Sequence, residues 1–470
     1  MEILETLRAV VGKNHVLTGK DTEKWARDWT GKYSWTPLAV VRPASTGEVS
    51  AVAAACYEAG SAMVPVGGNT GLTGATKADG VVMVSLDRLD KIRAVKPGSR
   101  VALVEAGAVL DSIHSATGEH GLIFPLTFGA RGSAMIGGNL ATNAGGSNVL
   151  RYGNTRDLCL GLEIVLPDGR VMDLMSELRK DNTGYDLRHL FIGSEGTLGF
   201  ITAAVLKLFP APRIRATAMV ALARIDDSLP LLNALQEATG GALEAFEFMP
   251  RNYIKRHVAH TGEREPFDAA YPVNILLEAA STREDDAAPG TDGTPALTEL
   301  LQTILAEEMA SGRIKDAVVA QSEAQRSAMW ARREMAAELT FYDRPIVDTD
   351  IAVPVDSVPE LLIRARARVT EIDPACEDFL VSHLGDGNVH YSVYTSTADG
   401  DLYDQIVEAV EDVTLSLGGS FSAEHGIGLS KIASMSRRKD DTALEVMRSM
   451  KAALDPKGLM NPGKVLPPPR

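Results

Sequence analysis

Residues 65–74 read PVGGNTGLTG, and their glycines directly follow the apolar run AMVPV at 62–66. Such a run of β-branched and small apolar residues predicts a buried strand. Glycines at 67, 68, 71 and 74 let successive backbone N–H groups turn inward and surround a phosphate or pyrophosphate. Glycine-rich loops also serve as plain turns, and this spacing matches neither GxGxxG nor the P-loop pattern. The stretch therefore predicts a strand followed by a loop, with phosphate binding as one of two interpretations.

Two further segments carry the same composition. Residues 132–153 read GSAMIGGNLATNAGGSNVLRYG, and residues 191–202 read FIGSEGTLGFIT. Small residues over this length cannot fill a core by themselves, so another group must approach the backbone closely. A long structured loop is the alternative, but a flat, extended ligand explains the composition better.

The sequence around these loops alternates short β-branched runs with helical ones from Leu38 to Leu208. Ser45 and Glu48 form a capping-box pattern that predicts a helix from Thr46. This alternation indicates an α+β or α/β domain with several crossovers. Beyond Pro210 the periodicity predicts helices over 226–238, 296–310, 324–339, 357–372 and 402–417, strands at VNILLEA and IVDTDIAVP, and a charged surface loop at 281–294.

A different kind of signal lies at residues 382–392, SHLGDGNVHYS. If residues 385–388 close a hairpin, His383 faces His390 with Cβ atoms about 5 Å apart. Two imidazoles side by side, with the carboxylate of Glu424 from the later SAEHG segment, form a ligand set suited to zinc, manganese or iron. His425 is then left to act as a base near neutral pH. The alternative is that these histidines are packed or solvated residues without a ligand role.

Length and composition set outer bounds. A chain of 470 residues predicts two or three domains. The formal charge of −15 argues against a nucleic-acid partner, and an anionic substrate then needs a local cation or metal. The three cysteines, Cys56, Cys159 and Cys376, have no CxxC spacing and are expected to be buried thiols in a reducing compartment, without a disulfide framework or an iron–sulfur cluster. With no apolar run of transmembrane length and no signal-peptide pattern, we expect a soluble, cytoplasmic protein.

Taken together, PVGGNTGLTG, IGGNLATNAGG, LRYGNT, LFIGSEGTLGFIT, SHLGDGNVH, SAEHGIG and LDPKGLMNPGK resemble the vanillyl-alcohol-oxidase-type flavoproteins. More narrowly, they resemble the FAD-linked D-2-hydroxyacid dehydrogenases, which include D-lactate and D-2-hydroxyglutarate dehydrogenases. The resemblance implies an α+β fold: a two-subdomain FAD-binding domain of the p-cresol-methylhydroxylase (PCMH) type over 1–210, an antiparallel-sheet substrate domain covered by helices over 211–425, and a segment over 426–470 that returns to the flavin.

The resemblance also assigns residues to a non-covalently bound FAD, because no His or Cys stands at an attachment position. The loop residues assigned to the pyrophosphate, and those assigned to the flavin and adenine ends, are Pro65, Gly67, Gly68, Asn69, Thr70, Gly71 and Leu72, then Pro125, Leu126, Thr127, Gly132, Ser133, Ile136, Gly137, Asn139 and Thr142, and finally Glu195, Gly199, Ile201 and Asn461.

For catalysis, the resemblance supports His383, His390 and Glu424 as metal ligands, with zinc preferred, and His425 as general base. Arg333, in the run WARRE, stands where the family has its carboxylate-binding arginine, and Asn388 is assigned to substrate with it. The alternative for Arg333 is an exposed helix charge. The reaction implied is oxidation of a D-2-hydroxy acid to the 2-oxo acid, with hydride passing to FAD.

The sequence departs from the dicarboxylate-oxidising members at two positions. The resemblance implies that those members have Lys at the position of Asp348 in this chain and Asn at the position of Ser392. A carboxylate in place of an ammonium repels a second substrate carboxylate, which favours D-lactate over D-2-hydroxyglutarate or D-malate. An enzyme for glycolate or another alcohol, and a flavin-binding subunit that needs a partner, are the alternatives. The electron acceptor, such as electron-transfer flavoprotein or a quinone, and a homodimer are left open.

Overall fold

The computed structural model describes residues 2–342 and 345–469. The chain divides into two compact units. The first consists of residues 1–145, 154–210 and 424–470, and the second of residues 146–153 and 211–423. The domain limits predicted from the sequence stay a prediction.

The described residues up to Pro210 contain eleven short strands and six α-helices. The strands are β1 (Val16–Leu17), β2 (Ala39–Val41), β3 (Met63–Val66), β4 (Val82–Ser85), β5 (Ile92–Lys96), β6 (Val101–Glu105), β7 (Leu122–Ile123), β8 (Cys159–Val165), β9 (Val171–Leu174), β10 (Phe200–Lys207) and β11 (Phe209–Pro210). The helices are α1 (Glu2–Val11), α2 (Thr46–Ala59), α3 (Leu110–Gly118), α4 (Ile136–Thr142), α5 (Val149–Tyr152) and α6 (Arg188–Phe191).

The rest of the chain contains longer strands and most of the helices. The strands are β12 (Ile214–Leu222), β13 (Leu243–Pro250), β14 (Val273–Ser281), β15 (Ile314–Val319), β16 (Ile346–Ala352), β17 (Glu377–His383) and β18 (Asn388–Tyr394). The helices are α7 (Ser228–Ala238), α8 (Arg251–Thr261), α9 (Glu284–Ala287), α10 (Ala296–Ala310), α11 (Glu323–Glu334), α12 (Ala336–Thr340), α13 (Val358–Ile372), α14 (Gly400–Ser416), α15 (Ile432–Arg438) and α16 (Asp441–Leu454).

The first unit has two main sheets. One has the order β1-β2-β4-β3, with β2, β4 and β3 parallel, and the other is antiparallel in the order β5-β6-β10-β8-β9. Helix α2 buries its apolar side in the core of this unit. The predicted cap is present, because Ser45 Oγ accepts the Glu48 N–H at 3.2 Å while Glu48 accepts the Ala44 N–H at 2.7 Å.

The C-terminal residues of the first unit add to the edge of its parallel sheet. The backbone N–H of Met63 in β3 donates to Leu459 O at 2.8 Å, and the N–H of Asn461 donates to Met63 O at 2.7 Å. Asn461 is thereby fixed beside the strand that leads into the 67–74 loop. A residue almost four hundred positions away in the sequence thus becomes a neighbour of that loop.

The second unit is built on one seven-stranded antiparallel sheet in the order β15-β12-β14-β13-β17-β18-β16. One face is covered by α7, α10, α13 and α14, which share a large apolar core with it. The opposite face carries a smaller apolar cluster under α8, α11 and α12. The strands of the second face also carry charged side chains, and these form the site described below.

The structure confirms the mixed α+β class and most of the predicted elements. The exception is the helix predicted over 324–339, which is divided at Met335 into α11 and α12. The loop after β14 contains the single helical turn α9 and is largely exposed. The three cysteines are free thiols, and Cys56 and Cys159 are buried as predicted, but the prediction of burial is wrong for Cys376, which is only partly buried. Among the described residues, no helix combines the length and apolar composition needed to cross a lipid bilayer.

Candidate active site

A row of ionisable side chains crosses the helix-α11 face of the sheet in the second unit. Glu278 in β14 is followed by Glu247 in β13, His383 in β17, His390 in β18 and Asp350 in β16. Glu247 lies directly opposite His383, and Asp350 directly opposite His390. Five neighbouring strands therefore each contribute one such group, and all except His390 are buried.

The pairing of the two histidines differs from the prediction. His383 is opposite Asn388, and His390 is opposite Val381, so the predicted direct pairing of the histidines is wrong. The loop begins one residue earlier, at Leu384, and ends at Gly387, which has a left-handed φ of 82°. Asn388 is thereby part of β18, where its side chain donates to Asp350 Oδ1 and Ile351 O. The altered register keeps both histidines on one face as diagonal neighbours. Their rings still lie edge to face, with centroids 5.4 Å apart.

Glu247 connects the first histidine to the arginine of α11. Its Oε1 lies 2.8 Å from His383 Nδ1, and its Oε2 lies 2.8 Å from Arg333 Nε. Burial acts to raise the pKa of Glu247, but His383 and the Arg333 guanidinium outweigh it and hold that pKa below its ordinary value. A carboxylate on the Nδ1 side of a histidine is typical of metal-binding histidines, because it fixes the ring and leaves Nε2 for the metal.

Arg333 has buried donors that are not satisfied by the protein. The side chain is buried, and neither its Nε nor its Nη2 has a hydrogen-bond partner in the described parts of the chain. The 2.8 Å contact of Nε with Glu247 is an ion pair without hydrogen-bond geometry. A buried guanidinium with unsatisfied N–H groups is suited to receive a carboxylate ligand.

Helix α11 is held on the sheet by a second buried carboxylate. Glu278 accepts hydrogen bonds from Arg326 Nε at 2.6 Å, Arg326 Nη2 at 2.8 Å and Trp330 Nε1 at 2.9 Å. Residues 326, 330 and 333 lie on one side of the helix because they are four and three positions apart. The clamp on Arg326 and Trp330 therefore sets the position from which Arg333 reaches the row.

Asp350 organises the other end of the row. Its Oδ1 accepts Asn388 Nδ2 at 3.0 Å and lies 3.7 Å from His390 Nδ1. Its Oδ2 accepts the backbone N–H of Ala423 at 3.2 Å. The Asn388 amide also donates to Ile351 O at 2.9 Å, so both of its N–H groups are used within the sheet. Whether Asn388 also binds substrate stays a prediction.

The SAEHG segment begins beside this end of the row. Ser420 pairs with Ala352 as an antiparallel bridge, and Ala423 is bound to Asp350. Ala423 is the last residue of the second unit, and Glu424 follows it directly as the first residue of the returning segment. Within that segment, Glu424 Oε1 and His425 Nε2 lie 3.9 Å apart.

Except for residues 146–153, the glycine-rich loops lie in the first unit, and the loop after β3 presents a run of backbone N–H groups. The backbone N–H groups of residues 67–72 donate to no acceptor in the described residues of the chain. Asn69 has φ 55°, in the left-handed region that helps such a loop turn its amides to one side. A methyl group on Gly68 would come within 2.1 Å of Ser133 O, so this loop and the 132–142 loop are in close contact. A run of unsatisfied amides fits a pyrophosphate.

Two buried asparagine side chains in this unit have unsatisfied polar atoms. Asn139 Nδ2, in α4, and Asn461 Oδ1 lack hydrogen-bond partners in the part of the chain that is described. Asn461 uses its Nδ2 to donate to Glu195 O at 2.8 Å and Ala75 O at 3.1 Å. One free donor and one free acceptor in a glycine-rich cradle fit the polar edge of a flavin ring. The residues present therefore fit FAD, which their sequence pattern had predicted.

The remaining predicted cofactor residues are also in the first unit. Residues 125–127 follow β7, and Thr142 ends α4. Gly199 packs closely on β8, since a Cβ there would lie 2.8 Å from Val165 O, and Ile201 is buried in β10. Glu195 is buried in the loop between α6 and β10. Cofactor contact by these residues stays a prediction.

Comparison with known proteins identifies the family. A model described as "FAD linked oxidases, C-terminal domain" matches residues 211–465, and one described as "FAD binding domain" matches residues 37–175. A "D-2-hydroxyglutarate dehydrogenase" of Xanthomonas citri pv. viticola is 36% identical over 451 residues, which cover 95% of this chain and 92% of that protein. The chain belongs to the FAD-linked D-2-hydroxyacid dehydrogenases. The mitochondrial "D-2-hydroxyglutarate dehydrogenase" of Bos taurus is 36% identical to this dehydrogenase over 99% of its chain and 83% of the relative.

The fold of the dehydrogenase is also found in distant flavoproteins. A crystal structure of p-cresol methylhydroxylase with substrate bound aligns with a TM-score of 0.75 and 14% identity, covering 98% of this chain and 96% of that one. At this identity the likeness shows the fold alone. It confirms the predicted architecture of the vanillyl-alcohol-oxidase type.

Sequence reasoning missed Glu247, Glu278 and Asp350. Each is a carboxylate inside a largely apolar strand. Glu247, for example, stands in the segment LEAFEFMP at 243–250. A charged residue at a position that a buried strand would fill with an apolar side chain is a signal for a paired or ligand-binding group. That signal marks the residues but does not identify their partners, which lie on other elements; His383, for example, is 136 positions from Glu247.

Proposed function

We propose that this dehydrogenase oxidises the hydroxyl-bearing carbon of a D-2-hydroxy acid with the help of a divalent metal. The observation that carries the proposal is the arrangement of His383, Glu247 and Arg333, in which one buried carboxylate orients a metal-type histidine and an arginine with unsatisfied donors. A 2-hydroxy acid presents a carboxylate and a hydroxyl on adjacent carbons. An anion receptor beside a metal-binding histidine matches that pair of groups.

The chain's own residues divide the work as follows. Arg333 binds the C1 carboxylate and orients the substrate, while Glu247 and Asp350 hold the rings of His383 and His390. Glu424 is the third metal ligand in this proposal, which is the role that the sequence resemblance gives it. His425 takes the hydroxyl proton as general base. When bound, the metal lowers the pKa of the hydroxyl, and FAD accepts the hydride. Zinc is preferred because the metal needs no change of valence.

D-2-hydroxyglutarate is the first candidate substrate, on the strength of relatives with that name that match nearly the full length of the chain. A monocarboxylate such as D-lactate is the second, and a specific contact favours it. Asp348 lies two residues before Asp350 on the same face of β16 and accepts the Ser392 hydroxyl at 2.6 Å. A carboxylate there repels the distal carboxylate of a dicarboxylic acid.

The test is a comparison of kcat/KM for D-2-hydroxyglutarate, D-malate and D-lactate with an artificial electron acceptor. A preference for D-2-hydroxyglutarate of at least about 10-fold, or about 1.4 kcal/mol, supports the first candidate. The reverse preference supports the second, and the absence of turnover with every D-2-hydroxy acid contradicts the proposed function. The 2-oxo acid is quantified as the product. An external acceptor such as electron-transfer flavoprotein or a quinone, and a cytoplasmic location, stay predictions.

A further inference from the structure

We infer that Glu195 is a positioning residue that fixes the His425 segment to the flavin-binding loops. The inference rests on the proposed function, because it concerns the residue proposed as general base. Glu195 lies in the GSEGTLG loop, where the sequence resemblance had assigned it to the cofactor. In the structure its carboxylate binds backbone amides, and its contact with the cofactor stays a prediction.

Both carboxylate oxygens of Glu195 bind the backbone that follows His425. Oε1 accepts the N–H of Ile427 at 2.7 Å, and Oε2 accepts the N–H of Gly428 at 2.8 Å. The side chain is 6% exposed, so these bonds are shielded from water. A carboxylate that accepts two N–H groups in a buried site forms charge-assisted bonds, which are about twice as strong as neutral ones.

The next two amides of the segment are held by another loop of the same unit. The N–H groups of Leu429 and Ser430 both donate to Thr73 O, at 2.8 and 3.1 Å. Thr73 directly follows the 67–72 stretch whose own amides are unsatisfied. The four consecutive amides of residues 427–430 are therefore bound by Glu195 and Thr73, which lie in two glycine-rich loops. The segment is positioned through its backbone, and a Cβ on Gly428 would lie 2.3 Å from Thr73 O.

The backbone of Glu195 is tied to the proposed cradle as well. Its N–H donates to Ala141 O in α4 at 2.8 Å, and its C=O accepts from Asn461 Nδ2 at 2.8 Å. Its φ of 50° lies in the left-handed region, a cost that a non-glycine residue meets only where its surroundings fix it. Glu195 thus binds Ala141 and Asn461 through its backbone, and the base segment (residues 425–430) through its carboxylate.

The contact continues up to the residue after the base. A Cβ on Gly426 would lie 2.8 Å from Glu195 Oε1, so the carboxylate lies directly against this part of the backbone. A shift of the carboxylate therefore moves the peptide next to His425. Misplacement of a reacting group by about 1 Å costs on the order of 100-fold in rate.

The test combines hydrogen exchange with flavin reduction in the FAD-loaded protein. In the unaltered protein, the amides of Ile427 and Gly428 are expected to exchange among the slowest of residues 422–430. In Glu195→Gln, one oxygen is replaced by an NH2 group that cannot accept, so exchange of this segment should rise. The rate of flavin reduction by the D-2-hydroxy acid should fall about 10-fold or more, while half-saturation changes less than about 3-fold.

Glu163→Gln is the matched control, because Glu163 in the same unit accepts hydrogen bonds from Thr46 and Thr202 and has no part in the base segment. It should leave exchange of residues 422–430 and the reduction rate unchanged. Rapid exchange of Ile427 and Gly428 in the unaltered protein overturns the inference even if the variant does not fold. Loss of FAD from Glu195→Gln with unchanged exchange also overturns it, and assigns Glu195 to the cofactor. Failure of the unaltered protein to be reduced by any D-2-hydroxy acid contradicts the proposed function instead, and leaves the exchange result to decide the role of Glu195.

Discussion

Replacement of Glu247 by Gln tests whether this carboxylate orients His383 for metal binding. The change keeps the shape of the side chain but removes the negative charge that lies 2.8 Å from His383 Nδ1 and 2.8 Å from Arg333 Nε. Loss of a carboxylate that orients a ligating histidine typically weakens metal binding by about 10- to 100-fold. This corresponds to about 1.4–2.7 kcal/mol of metal-binding free energy. We expect Glu247→Gln to bind zinc more weakly by this amount.

The assay is competition for zinc between the FAD-loaded protein and a chelating dye of known affinity. Glu278→Gln is the matched control, because Glu278 is an equally buried carboxylate on the adjacent strand whose partners are Arg326, Trp330 and Thr217. Both variants lose a buried charge-assisted network and should lose thermal stability. Only Glu247→Gln should lose zinc affinity. Equal zinc affinity in Glu247→Gln and the unaltered protein would refute the assignment of His383 to the metal.

Three further substitutions test the proposed roles of Arg333, Asp348 and Asn139. Arg333→Lys keeps the charge but loses the planar fork, and should raise half-saturation by the D-2-hydroxy acid about 10-fold in initial-rate kinetics, with a smaller effect on the limiting rate; a change confined to the limiting rate contradicts carboxylate binding. Asp348→Asn removes the charge that repels a distal carboxylate, and should raise the kcat/KM ratio of D-2-hydroxyglutarate to D-lactate about 10-fold; an unchanged ratio shows that Asp348 does not face the substrate. Asn139→Ala removes the unsatisfied Nδ2 donor, and should weaken FAD binding about 10-fold by flavin-release fluorescence, whereas unchanged affinity places Asn139 outside the cofactor site.

The local features of the fold were readable from the sequence because they depend on neighbouring residues. Ser45 and Glu48 predicted the start of α2, and the glycines around residue 70 predicted the loop after β3. The hairpin between β17 and β18 was predicted, but its register was not. Asn388 is held in β18 by hydrogen bonds to Asp350 and Ile351, and these partners on β16 are distant in the sequence.

The candidate site was predictable only in its ligand types. His383, His390 and Arg333 were predicted from their motifs, and their roles stay predictions, whereas Glu247 was not predicted because its pairing with His383 joins residues 136 positions apart. Glu195 shows the same limit in the other direction. Its motif indicated importance, but only the folded chain shows its carboxylate on the amides of Ile427 and Gly428.

Anaerobic mixing of the FAD-loaded protein with D- and L-isomers of 2-hydroxy acids, before and after removal of metal by a chelator, tests the central claim most directly. The account predicts that the oxidised flavin absorbance is bleached by D-isomers alone, that bleaching is lost on removal of the metal, and that zinc restores it. Bleaching that survives removal of the metal, or that L-isomers produce equally well, would contradict the account.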